Sequence, residues 1–202
     1  MNDHGRLIAV VGPSGAGKDS VIAGVLNAMR DVKPVQRTIT RAAELGGEDY
    51  YSVSKSEFIA LRERGEFCLH WRAHGLQYGI PASVLSAVAK GESYIANLSR
   101  NVLTQAAEIF SDFIVLHVTA TPQTLAKRLA LRGRESEEDI AARLARTTYP
   151  LPENLNVYRI SNDGELQNAI DQAVLAINVP SMGADEQLES RLTINNRSGT
   201  HQ

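Results

Sequence analysis

Nine consecutive residues, Gly12-Pro13-Ser14-Gly15-Ala16-Gly17-Lys18-Asp19-Ser20, have the types and the spacing to grip phosphate. Glycines let a backbone curl until successive N–H groups point into one concavity, where an anion settles. Lys18 completes a G-x-x-x-x-G-K pattern and brings a full positive charge to the outer phosphates of a nucleoside triphosphate. Asp19 stands where that pattern usually carries a Ser or Thr hydroxyl for Mg²⁺, and Ser20 follows it. A carboxylate is a hard oxygen donor for Mg²⁺. It is equally a favourable charge on the first turn of a helix. Both readings of Asp19 stand, with Ser20 as a second candidate ligand. The stretch Tyr94-Ile95-Ala96-Asn97-Leu98 ends without the acid that commonly assists the metal.

A phosphate cradle works only between a strand and a helix that hold it open, and the flanking sequence supplies both. Leu7 to Val11 is almost wholly apolar and stops at Gly12, as expected of a strand buried on both faces of a parallel sheet. From Lys18 to about Arg30, apolar side chains at Val21, Ile22, Val25, Leu26 and Met29 recur at helical spacing. Further along, strands are expected at Pro34–Thr40, Ser93–Leu98, Phe113–Val118 and Val157–Ser161. Helices are expected at Lys55–Arg64, Asn101–Phe110, Pro122–Arg132 (capped by Thr121), Ser136–Arg146 and Gly164–Ile177. Strands alternating with helices imply an α/β fold with a parallel sheet flanked by helices. Residues 40 to 91 differ in character, with Gly46-Gly47, scattered charge and an aromatic-rich run at Phe67–Tyr78, and read as an inserted lobe.

The bulk properties narrow the field. The chain has 202 residues, 43% hydrophobic and 22% charged, with a formal net charge of −2. That suits one domain with a proper core, and gives no global field to attract nucleic acid. Cys68 is the one cysteine, so no internal disulfide can form, which suits a reducing cytoplasm. Met1 to Arg6 has no apolar signal core, and no apolar run approaches the roughly 20 residues that span a membrane.

Several separate segments together resemble the guanylate kinase family, over Leu7 to about Ile177. Gly12 to Lys18 is similar to that family's P-loop. Arg37-Thr38-Ile39-Thr40-Arg41, with Gly47-Glu48-Asp49-Tyr50-Tyr51, is similar to its acceptor-lobe signature, and Tyr78-Gly79 to its Tyr-Gly pair. Arg128-Leu129-Ala130-Leu131-Arg132-Gly133-Arg134 and Ile140-Ala141-Ala142-Arg143-Leu144 are similar to its lid, and Asn162-Asp163 to its adenine-side loop. The resemblance implies a P-loop NTPase-type core at 1–36 and 92–180, an acceptor lobe at about 37–91, a helical lid at about 125–147 and a flexible tail at 181–202. It implies ATP and Mg²⁺ as cofactors. Arg37, Arg41, Tyr50 and Tyr78 would hold the phosphate of the acceptor, and Arg132, Arg134 and Arg143, with Lys18, would neutralise the transferring group.

The base-reading part of the family pattern is missing. Phe67 to Gln77 contains no Asp or Glu, and the positions for a guanine-reading acid hold Leu69 and His70. Ile80-Pro81 replaces the hydroxyl after the Tyr-Gly pair, and Asn97, Ser99 and Arg100 replace an acidic strand end. Losing buried hydrogen-bond partners removes selectivity for the group they read. The stretch His70 to Pro81 is similar instead to a sugar-bisphosphate kinase branch of the family. That implies a small phosphorylated sugar as acceptor, with His70, His74, Asn97, Ser99 and Arg100 as candidate contacts and Trp71 as interface packing. A guanylate kinase with an unusual base site is the main alternative, and a non-catalytic binding module a weaker one.

Overall fold

The computed structural model describes residues 5–42, 49–132 and 150–180. Strand β1 (Leu7–Val11) is buried at all five positions. A strand with no exposed face must lie mid-sheet, and β1 is the centre of five parallel strands. They are β2 (Val32–Pro34), β7 (Ser93–Asn97), β1, β8 (Phe113–Thr119) and β9 (Val157–Ser161), in that spatial order.

Strand alternation sends β1 and β8 side chains to two cores. Ile8, Val10, Ile114, Leu116 and Val118 pack with Val21 and Val25 of α1 (Lys18–Ala28) and with Ala169, Ala173 and Ile177 of the last helix, α6 (Leu166–Ile177). Leu7, Ala9, Val11, Phe113 and Val115 pack on the opposite side. There they meet α3 (Ala82–Val88), α4 (Leu103–Ile109) and the second sheet.

That second sheet has the order β4 (Tyr50–Ser52), β3 (Arg37–Ile39), β6 (Leu76–Pro81), β5 (Phe67–Ala73), with α2 (Lys55–Glu63) beside it. The single strand expected at Pro34–Thr40 is two strands in different sheets. β2 pairs with β7 of the core, and β3 pairs with β4 and β6. Val35 still donates its N–H to the Ile95 carbonyl, so the chain leaves the core sheet just after it. The aromatic-rich run expected only as part of a lobe is the β5–β6 hairpin, and α3 follows it without having been foreseen. The helix expected from Asn101 begins as a 3-10 turn at Arg100–Val102 before α4.

Helix α5 (Pro122–Arg132) starts as expected, with the Thr121 hydroxyl accepting from the Thr124 N–H at 3.3 Å. The expected helix at Ser136–Arg146, most of the lid and the tail after Pro180 lie outside the described residues.

Candidate active site

The loop between β1 and α1 is shaped by what its glycines permit. Gly12 and Gly17 have φ of 154° and 86°, which L side chains rarely adopt. A Cβ at Gly12 would strike the Val118 carbonyl, and one at Gly17 would strike the amide nitrogen of Asn162. Gly17 is the N-cap of α1 and its cap position carries no side-chain hydrogen bond, so the first-turn N–H groups remain for an anion. Lys18 folds across the loop, its Nζ donating to the carbonyls of Gly12 and Pro13 at 3.0 Å each. Asp19 and Ser20 are exposed at the start of α1, and the Asp19 carboxylate accepts from Asn97 Nδ2 at 3.1 Å. An oxygen-only pair beside a phosphate cradle fits a hard cation such as Mg²⁺. No group of three or more metal-binding side chains occurs among the described residues, so a metal here would also need oxygens from the nucleotide and water.

Asn162 braces the loop from behind. It is 3% exposed and donates from Nδ2 to the Ala16 carbonyl at 2.7 Å, while its own N–H donates to the Thr119 carbonyl. A cavity of about 300 Å³ opens beside it, lined by Gly15, Gly17, Ser20, Arg128, Leu131 and Leu166 among others. Two buried polar atoms there have no hydrogen-bond partner among the described residues, Asn162 Oδ1 and Arg128 Nη1. Unpartnered buried groups are costly. An acceptor and a cationic donor side by side suit a nucleotide, which offers N–H groups on its base and oxygens on its phosphates. In the sequence Arg128 stands only as the first residue of the lid-like stretch, with no role of its own. Its place one helical turn before Arg132 was the available signal. Asp163 fixes the neighbouring loop by accepting from the Thr121 N–H at 2.6 Å, and that backbone hydrogen bond holds its carboxyl below the usual range.

The second sheet gathers the predicted acceptor-phosphate residues. Register makes Arg37 the Cα partner of Tyr50, and Ile39 that of Tyr78. Paired residues share a face, so Arg37, Tyr50 and Tyr78 lie on one side. The Arg37 guanidinium is over the Tyr78 ring at 5.2 Å and the Trp71 ring at 6.0 Å, and its Nη1 donates to the Asn97 carbonyl at 2.6 Å. Arg41 lies over the Tyr50 ring at 5.9 Å. Trp71 stacks on Tyr78 with 5.2 Å between centroids and 8° between planes, and its Nε1 donates to Ser99 Oγ at 2.8 Å. Trp71 is thus interface packing, as expected. A continuous line of contacts runs from Asp19 through Asn97 and Arg37 to Trp71, Tyr78 and Ser99. It joins the nucleotide loop to the acceptor sheet.

His70 and His74 are not brought to this line. His70 pairs with Gly79 on the face opposite Trp71 and Tyr78, where burial, with the Arg62 charge on α2 as a smaller cause, lowers its pKa. A period of two residues forbids His70 and Trp71 from facing the same way. His74 and Gly75 form the two-residue hairpin turn, with φ of 52° and 75°. Two positive φ values are the mark of a type I′ turn, and both residues are exposed at its tip. Asn97 and Ser99 are present, with hydrogen bonds spent on Asp19 and Trp71. Arg100 opens the 3-10 turn beyond them. Arg132 is the last residue of α5, and Arg134 and Arg143 lie outside the described residues.

A phosphate cradle at the carboxyl end of a parallel sheet, facing a second sheet of arginines and tyrosines, defines a P-loop phosphotransferase. Residues 4–173 match the family model described as guanylate kinase, and the chain belongs to that family. It is 51% identical to ribose 1,5-bisphosphate phosphokinase PhnN of Ruegeria sp. (strain TM1040) over 84% of this chain and 90% of that one. Identity to the protein of the same name from Rhizobium etli (strain CIAT 652) is 43%, covering 87% and 90%. A bifunctional ribose 1,5-bisphosphokinase-thymidine phosphorylase of Cupriavidus pinatubonensis is 37% identical over 95% of this chain and 33% of its own length. In fold, the chain matches the crystal structure of guanylate kinase from Anaplasma phagocytophilum, with a TM-score of 0.67, 22% identity, and 95% and 97% coverage. The chain is therefore a kinase of nucleotide-using type, and no helix among its described residues is long and apolar enough to cross a membrane.

Proposed function

We propose that the protein transfers the γ-phosphoryl group of ATP to the 1-phosphate of ribose 1,5-bisphosphate, giving ADP and 5-phosphoribosyl 1-diphosphate in the cytoplasm. The observation that carries this reading is what stands at the positions for the guanine-reading groups. Leu69 and Ile80 there are 0% exposed in an apolar cluster, and His70 faces away from Trp71 and Tyr78. Trp71 is clamped between Tyr78 and Ser99 beside them. Among the described residues nothing there offers a carboxylate to a purine edge, while the phosphate-gripping arginines and tyrosines are all kept. The relatives named for ribose 1,5-bisphosphate point the same way.

The chemistry asks for position and charge. A phosphate oxygen of the acceptor is already an anionic nucleophile, so no general base is needed. It forms a bond to the γ-phosphorus as the bond to the ADP oxygen breaks. Lys18 and the loop N–H groups hold the donor phosphates, while Arg37, Arg41, Tyr50 and Tyr78 hold the acceptor in line. Arg132, Arg134 and Arg143 of the lid neutralise the charge that spreads over the transferring group, and Asn162 sits at the nucleotide. Asp19 and Ser20 would hold Mg²⁺, which supplies further neutralisation of the phosphates. His70 and His74 drop out of the substrate contacts on the placement described above.

The test is to supply Mg-ATP with ribose 1,5-bisphosphate, with GMP, or with no acceptor, and to follow ADP and the phosphorylated product. ADP formation that depends on the sugar bisphosphate, with matching diphosphate, is expected. Equal or faster turnover of GMP would replace this reading with a guanylate kinase.

A further inference from the structure

The last residues of β8 and β9 turn from apolar to basic on a single face of the core sheet. Phe113 and Val115 of β8 point into the lobe-side core, and His117 follows at the next position on that face. Val157 of β9 packs against the same core, and Arg159 follows in the same way. His117 and Arg159 are Cα partners on adjacent strands. A third basic group, Arg100, stands immediately beyond β7, one residue from the Ser99 hydroxyl that holds Trp71. His117 is only partly exposed, and burial, then the charges of Arg100 and Arg159, push its imidazole below the ordinary value. Burial also lowers the Arg100 guanidinium.

The His117 imidazole and the Arg159 guanidinium are neighbours on adjacent strands, and the Arg100 charge acts on the same ring. All three can donate to phosphate oxygens. They also lie at the carboxyl edge, where open α/β sheets bind ligands. None of the three belongs to the P-loop or to the Arg37 grip. The grip ends at Asn97 on β7, and His117 lies two strand spacings away across β1, roughly 10 Å. One phosphate cannot touch both places, but the two phosphates of a pentose bisphosphate can.

We propose that Arg100, His117 and Arg159 form a second anion site that holds the phosphate of the acceptor not taking part in transfer, the 5-phosphate of the sugar. The inference rests on the reading of the acceptor given above, and assigns to His117 and Arg159 a role in selecting it. A mononucleotide, with one phosphate, has no use for such a site.

The experiment compares ribose 1,5-bisphosphate with ribose 1-phosphate as acceptors, for the unmutated protein and for Arg159→Gln and His117→Gln. Each substitution is expected to lower kcat/KM for the bisphosphate about 10- to 100-fold, as loss of a charge-assisted contact to phosphate does. The KM for ATP and the poor use of ribose 1-phosphate should not change, so the preference for the bisphosphate collapses. An unchanged preference in both variants overturns the proposal, while leaving the reading of the acceptor intact. Failure of that reading would show otherwise, as no turnover of either sugar by the unmutated protein. In that case the His117 Cε1–H resonance, followed while ribose 5-phosphate is added, decides alone. A saturable shift keeps the anion site, and no shift removes it.

Discussion

At the amino end of the five-stranded sheet, Arg6 donates from Nε to Asp112 Oδ2 at 3.0 Å and from Nη1 to the carbonyls of Ile177 and Val179. Both side chains are nearly fully buried, and the cluster ties the starts of β1 and β8 to the end of α6. At the carboxyl end of the same strands the arrangement is reversed. Among the described residues, Arg128 Nη1 and Asn162 Oδ1 are buried without a hydrogen-bond partner, and the charges of Arg100 and Arg159 both act on His117. One end has its charges satisfied by the protein itself. The other turns polar atoms toward a cavity. A charge cluster that closes on itself contributes to stability, and polar groups that line a cavity contribute to binding. The two ends should therefore respond differently to mutation.

The largest effect is expected at the closed end. Arg6→Ala leaves Asp112 buried without its cation and should cost about 3–5 kcal/mol of stability, read by denaturant unfolding, with kcat/KM unchanged where the variant is folded. A loss of activity without loss of stability would break the contrast. At the open end, Lys18→Ala should lower kcat about 10²- to 10³-fold while the unfolding midpoint hardly moves. Arg37→Lys keeps the charge but loses the planar fork and the stacking on Tyr78. It should raise the acceptor KM about 10-fold or more with little change in the KM for ATP. Asn162→Ala removes the brace on Ala16 and should cost about 1–2 kcal/mol in ATP binding, measured by calorimetric titration with the nucleotide.

The smallest effect is on pH dependence. His117 has a folded pKa below its ordinary value, mainly through burial and then through Arg100 and Arg159. As pH falls through about 6.5, the unfolded chain takes up a proton that the folded chain resists, so stability declines. His117→Gln should flatten that decline relative to the unmutated protein, since His70 shifts in the same direction and stays in both. An identical slope in the two proteins would mean that neither burial nor the two arginines hold the His117 pKa down.

The nucleotide half was legible because its signals are local. Gly12 to Ser20 are contiguous, and the all-apolar Leu7–Val11 and the helical spacing from Val21 to Met29 fix their own elements. The acceptor half was legible only where contiguous motifs carried it, as at Arg37–Arg41 and Tyr78-Gly79. The histidines show what residue type leaves out, which is facing. His70 alternates away from Trp71, and His74 occupies a turn that any αL-tolerant residue can fill. The break after Val35 was hidden since one apolar stretch serves two sheets. The juxtaposition of Arg100, His117 and Arg159 comes from two strands and the turn after a third, far apart in sequence, and only the strand order brings them together.

The acceptor lobe leaves the core after β2 and returns at β7, and these two strands pair directly, Val32 with Ser93 and Pro34 with Ile95. Entry and exit are therefore fixed side by side by the core itself, whatever lies between. The entropy of closing such an excursion grows only with the logarithm of its length, so doubling it costs about 0.6 kcal/mol. Changes of length in the exposed turns between those two anchors are therefore cheap to close, provided that the apolar side chains covering Leu7, Ala9 and Val11 are kept. A lineage can thus reshape the rim of the acceptor side turn by turn, while the floor it shares with the phosphoryl-supplying half stays as it is.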